Sequence, residues 1–213
     1  MATRESELRD RRRAQRRDAR RRLLDAAHGL LEERGWTDIS LEDIAAAAEV
    51  ARTAFYRHFE DRQHLLAAML DDVGLELGHV ADTWMIDPDD SADSIAQLHR
   101  SLSGLTEIFI EHGRLLQAIS DTARHDPRTG ALYAALSDRL IAATAARINK
   151  DVVAGRSQVH EPLEVARALT WMNERYLLVS FGRAPFSDPA AVLRALTEIW
   201  IGTLYGSPAP LPQ

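Results

Sequence analysis

Cysteine is absent from the 213 residues, which excludes disulfides and cysteine-ligated zinc and suits a reducing cytoplasm. No uninterrupted apolar run approaches the roughly 20 residues needed to cross a bilayer. The arginine-rich start is followed by no apolar signal segment, so a cytoplasmic protein with no membrane partner is expected. Catalytic patterns are missing too: there is no His-Glu-x-x-His, no Gly-x-Ser-x-Gly and no glycine loop to cradle a phosphate. Glu76-Leu77-Gly78-His79 is one Glu-x-x-His pair, but a di-iron bundle needs a second pair and two further glutamates on facing helices. The eight histidines are scattered. No catalytic residue, metal or cofactor is expected.

What is present is apolar content and segregated charge. A hydrophobic fraction of 46% fills a real core, so the chain is globular. Net charge is −6, yet residues 1–22 hold ten arginines against four acids. That local balance of +6 leaves −12 on the other 191 residues. Such a division suits a protein that holds a polyanion at one end and repels it elsewhere. A solvated tail of no consequence is the plainer reading of the arm.

Leu23, Ala27, Leu30 and Leu31 repeat at helical spacing, and Gly35 follows as a stop. Trp36 and Ile39 can plug the base of a small head. Ser40-Leu41-Glu42-Asp43 has the form of a capping box and opens a second helix with Leu41, Ile44, Ala45 and Ala48 inward. The short turn Glu49-Val50-Ala51 leads to a third helix. There Phe55 and Phe59, at i and i+4, bury one face and leave Arg52, Thr53, Tyr56 and Arg57 outside. Asp61 caps a fourth helix with Leu65, Leu66, Met69, Leu70, Val73 and Leu77 on its apolar stripe.

Asp82 to Ser91, with Pro88 and four acids, reads as a loop. Further helices are expected at about 91–111, 114–124, 127–153, 162–182 and 189–205. Asp126-Pro127, Glu161-Pro162 and Asp188-Pro189 are start signals, because proline is tolerated in a first turn. The fold class is all-α with about nine helices: a basic flexible arm at 1–17, a helix-turn-helix head at 18–62 and a larger helical domain at 63–213. The last two helices are apolar over a wide surface. One side suits the core, and the other, taken to include Leu196, suits a copy of itself in a four-helix bundle.

The residues from about Arg16 to Leu77, and above all Thr53-Ala54-Phe55-Tyr56-Arg57-His58-Phe59 followed by a basic residue and Leu65, resemble the head of the TetR family of bacterial transcription regulators. Leu169-Thr170-Trp171-Met172-Asn173-Glu174-Arg175 and the run Glu198-Ile199-Trp200 through Leu204-Tyr205-Gly206 look like the last two helices of EthR-type regulators. The resemblance implies a homodimer, a palindromic double-stranded DNA operator and an inducer pocket in the larger domain. Three departures stand out. Glu49 replaces a usual glycine, Ala51 replaces the usual hydroxyl residue opening the third helix, and Arg62 replaces the usual lysine.

Recognition helices present their amino-terminal residues to base edges. Arg52, Thr53 and Arg57 are therefore the expected base readers, with Ala54 beside them on the contacting helix. Ser40, Tyr56, His58 and Arg62 are expected to hold phosphates. The arm reaches an adjacent minor groove or acts as a nonspecific anchor. A second set comprises Trp84, Phe109, Thr170, Trp171, Asn173, Leu178 and Trp200. An aromatic helical core is one reading of it. A buried amide such as Asn173 needs partners, though, and one convergent polar group in an apolar cavity orients a ligand. By the resemblance, Thr170, Asn173, Leu178 and Trp200 match positions that line the EthR-type channel.

The function expected is a ligand-responsive repressor, released by a hydrophobic small molecule. An all-α small-molecule binder or enzyme with an incidental head, and a TetR-like activator, are the alternatives.

Overall fold

The computed structural model describes the backbone of residues 2–85 and 94–206 and the side chains of 17–81 and 94–206. Among these residues it is all-α, with eight α-helices and one 3-10 turn. The chain forms two compact units, Met1–Met69 and Leu70–Gln213, dividing inside the fourth helix.

In the first unit, α1 spans Ala2–Glu33, a 3-10 turn spans Trp36–Asp38, α2 spans Leu41–Ala47, α3 spans Arg52–Phe55 and α4 begins at Arg62. Leu23, Ala27 and Leu31 of α1 are buried with Trp36, Ile39, Ile44, Phe55, Phe59 and Leu65. The residues read as a flexible arm continue α1 as helix. No glycine or proline interrupts 1–28, and arginine, alanine and glutamate are good helix formers. Ser40 accepts from the Asp43 amide at 3.1 Å while its own amide donates to the Asp43 carboxylate at 2.9 Å, which completes the expected capping box. Asp61 caps α4 through the His64 amide at 2.6 Å.

The second unit contains the rest of α4, which ends at Met85, and α5 (Ser94–Ala123), α6 (Pro127–Val153), α7 (Pro162–Phe181) and α8 (Pro189–Tyr205). The expected loop from Asp82 is thus helical as far as Met85, and its remainder lies outside the described residues. The two helices expected at 91–111 and 114–124 are one. Gly113 does not break it; a β-carbon there would sit 2.5 Å from the Phe181 carbonyl oxygen. The glycine allows α5 and α7 to approach closely.

Asp126 accepts from the Thr129 amide at 2.7 Å to cap α6, and Asp188 does the same for α8 from the Ala190 amide at 3.2 Å. α5 packs against α6, α7 and α8. Arg147 is wholly buried on α6 and donates to Asp151 at 3.3 Å and to Gln97 of α5 at 2.9 Å; Tyr205 at the end of α8 donates to the same Asp151 at 2.8 Å. Removing one partner from such a buried pair costs about 3–5 kcal/mol, so this cluster clamps one end of the bundle.

α7 and α8 bury Leu169, Leu177, Val192, Leu196, Trp200 and Leu204. Leu196 is 0% exposed, so it belongs to the core and not to the outward face. Large apolar residues of these helices left outside are Leu163, Trp171, Tyr176, Val179 and Ile199, at 49, 43, 38, 61 and 44% exposure.

Candidate functional site

The head's third helix stands on two buried rings. Phe55 and Phe59 lie 5.7 Å apart and face the core, which turns the intervening side chains outward. Arg52, Thr53, Tyr56 and Arg57 are exposed, and Ala54 and His58 are half-buried. The regular helix is short, but tight turns continue it. The Arg57 amide donates to Ala54 at 3.2 Å and the Phe59 amide to Phe55 at 3.1 Å. Arg52 pairs with Glu42 at 3.0 Å, both side chains being more than half exposed. A hydrogen bond to Tyr56, with the Glu42 charge second, raises its pKa above the ordinary guanidinium value. Exposed pairs of this kind are weak and screened by salt, so Arg52 remains open to other anionic oxygens.

Two of the predicted phosphate holders are already engaged. The Ser40 hydroxyl donates to Asp43 at 2.7 Å, and this bond is the main cause of the lowered Asp43 pKa. Arg62 turns inward. Its guanidinium donates to the carbonyls of Trp36, at 2.9 Å, and Ile39, and lies 5.0 Å over the Trp36 ring. Desolvation there lowers its pKa. A bidentate fork and flat cation explain the fit; Arg62 braces the head where a phosphate contact was expected.

The turn before α3 is a Schellman motif. The Val50 amide donates to Ala45 at 2.9 Å and the Glu49 amide to Ala46 at 3.1 Å, with Glu49 at φ 53°. That left-handed position favours glycine, as the departure at Glu49 foreshadowed. Ala51 caps α3 with no side-chain hydrogen bond. Glu49→Gly should therefore stabilise the head by about 1 kcal/mol. The thermal midpoint should rise by roughly 2–4 °C, and an unchanged or lower midpoint in a melting scan would contradict the strain.

In the second unit a cavity of about 110 Å³ runs among α4, α5, α6, α7 and α8. A single water needs roughly 10–15 Å³ of such space, so an organic ligand fits. Six of the seven residues read as ligand-facing line it: Phe109, Thr170, Trp171, Asn173, Leu178 and Trp200. The Trp84 side chain lies outside the described residues.

The Trp200 indole N–H donates to the Asn173 amide oxygen at 2.9 Å. Indole nitrogen only donates, so the amide orientation is settled and the Asn173 NH₂ is the group left to offer. Sequence reading missed Tyr133 and Glu174, which also line the cavity; the tyrosine hydroxyl donates to the glutamate carboxylate. Thr170 and Glu174 stand at i and i+4 on α7, a spacing that gave the signal.

The head matches the family model described as bacterial regulatory proteins, tetR family, over residues 23–69, and residues 98–206 match the EthR carboxyl-terminal domain. The HTH-type transcriptional regulator EthR of Mycobacterium tuberculosis is 32% identical over 186 residues, 86% of each chain. The chain belongs to the TetR family.

EthR of Mycolicibacterium smegmatis is 28% identical over 189 residues, covering 87% of this chain and 85% of its own. The solved structure of the TetR-family regulator PfmR from Thermus thermophilus shares the fold at a TM-score of 0.70 and 20% identity, over 85% of this chain and 98% of that one. As a TetR-family member with an EthR-type second domain, the protein is a transcriptional regulator with a DNA-binding head and a ligand-binding domain, not an enzyme. No helix of the described residues is long and apolar enough to cross a membrane.

Proposed function

We propose that the protein is a repressor that binds a palindromic operator as a homodimer and leaves it when a hydrophobic small molecule fills the cavity. The observation that carries this reading is the outward row of Arg52, Thr53, Tyr56 and Arg57 on a helix anchored by Phe55 and Phe59. Arg52, Thr53 and Arg57 read bases; Tyr56 and His58 hold phosphates, and Ala54 leaves room for the backbone to approach. The basic residues before Arg17 add a nonspecific attraction. The effector is mainly apolar and carries one polar group. Duplex fragments selected by the purified protein should share a palindrome, and loss of its binding on addition of a cavity ligand identifies a repressor released by its effector. Selection of no common sequence would refute the operator.

Dimerisation runs through the outward faces of α7 and α8, where Tyr176, Val179 and Ile199 remain exposed. A stable pair buries at least about 1,200 Å² in total. Ile199→Glu places a charge on that face without entering the core. It should convert dimers to monomers on a sizing column with the helical content retained. Dimers that persist in this variant would move the interface elsewhere. Leu196→Glu is unsuitable, because a carboxylate at a fully buried position destabilises the fold itself.

A further inference from the structure

The cavity wall is apolar except at a few points, and one of these is a carboxylate. Glu174 on α7 lines the cavity together with Leu77, Leu102, Leu136 and Leu140. One of its oxygens accepts the Tyr133 hydroxyl of α6. Among the described residues Glu174 forms no ion pair, whereas Asp121, Asp151 and Glu164 of this unit pair with arginines. An ionised carboxylate offers about four acceptor positions, and a neutral phenol occupies one. Glu174 is half-buried, and a carboxylate partly withdrawn from water is further stabilised by a charged hydrogen-bond partner.

Three further features favour a cation as the missing partner. Trp171, Trp200, Phe109 and Tyr133 line the same cavity, and aromatic rings attract cations, more strongly when water is excluded. Residues 70–213 carry nineteen acids against twelve basic residues, a net −7, which draws cations and repels anions on approach. Burial, with the Glu174 hydrogen bond second, holds the Tyr133 hydroxyl well above its usual pKa. The phenol therefore stays protonated and brings no second negative charge.

We propose that the cavity selects a cationic amphiphile, with an ammonium head against Glu174 and Tyr133 and an apolar chain along the leucines. This rests on the reading that the cavity is the effector site, and it names the effector's chemical class.

The test uses three probes of equal chain length: decylammonium, decanol and decanoate, each below its micelle concentration. Binding to the full chain is followed by tryptophan fluorescence and calorimetry. Decylammonium should bind at least tenfold more tightly than decanol, and decanoate more weakly than either. Glu174→Gln keeps the acceptor for Tyr133 but removes the charge. It should weaken decylammonium about tenfold to a hundredfold, the size of a charged hydrogen bond, and leave decanol within about threefold. Tyr133→Phe keeps the carboxylate and removes its internal partner, so the preference for the cation should survive in it. This second variant covers a failure of the first to fold.

Decanol bound as tightly as decylammonium in the unmodified protein would overturn the cation site while leaving the cavity as a hydrophobic effector site. A cation preference that persists in Glu174→Gln would place the cation on the acidic surface and likewise overturn it. No binding by any of the three would remove the cavity's effector role and this proposal together.

Discussion

Raising the salt from 50 to 200 mM should weaken operator binding by roughly 10³–10⁴-fold. Each phosphate neutralised releases condensed counterions, so affinity falls as a power of salt concentration. A dimer covering about six to eight phosphates gives a loss of that size. Tyr56 is half-exposed beside Arg52 and Arg57, and Tyr56→Phe should cost about 1 kcal/mol on every sequence alike, as one lost phosphate hydrogen bond does. Arg52→Ala or Thr53→Ala should instead relax preference at particular base positions. Arg62→Ala should act differently again. It removes the donor that the Ile39 carbonyl receives from Arg62 and one of the two that reach the Trp36 carbonyl, lowering stability before it touches the salt slope. Binding measured across a salt series separates these outcomes, and a flat response with no palindrome selected would sink the DNA reading.

Filling the cavity should move the protein from a DNA-competent to an incompetent population by up to about 5.5 kcal/mol, enough to take 99:1 to 1:99. Differential burial of some 220 Å² of apolar ligand surface supplies that at about 25 cal/mol/Å². A ligand acts only through unequal affinity for the two arrangements. α4 is one helix from Arg62 to Met85, and its Leu77, Val80 and Ala81 line the cavity, so a wedged ligand presses on an element that begins in the head.

Binding should therefore perturb tryptophan fluorescence and weaken operator affinity in parallel. Asn173→Leu should blunt the response, but with a second effect. It removes the hydrogen bond that the Trp200 N–H donates to Asn173, and a lost hydrogen bond costs about 1 kcal/mol, so its melting point should fall as well. Ligands that shift fluorescence yet leave operator affinity untouched would show that the cavity is not the switch.

Much of the fold was legible because local signals agreed with one another. Proline after Asp126, Glu161 and Asp188 marked three helix starts to the residue, since proline has no amide to lose in a first turn. The capping box at Ser40 was visible because its two bonds join residues three apart. The break expected between 111 and 114 is absent, and Gly113 there serves a purpose invisible along the chain: it admits the Phe181 carbonyl of a neighbouring helix. Arg-rich residues at the start looked like a loose arm because charge density says little about backbone state. Leu196 and Ile199 are three apart on one apolar helix, and periodicity alone did not say which faces the core.

The sequence by itself determined the all-α class and the head with its Phe55–Phe59 anchor, which rest on spacings of three and four residues that neighbours along the chain dictate. The departure at Glu49 and part of the candidate set around Asn173 came from the resemblance to the TetR family. Tertiary structure alone decided the rest. It turned Arg62 inward onto carbonyls 23 and 26 residues away, buried Arg147 against Gln97 across 50 residues and brought Glu174 to Tyr133 across 41. A long polar side chain carries no local mark of whether it will meet water or a distant partner. Its desolvation cost and its compensation arise only when the helices pack.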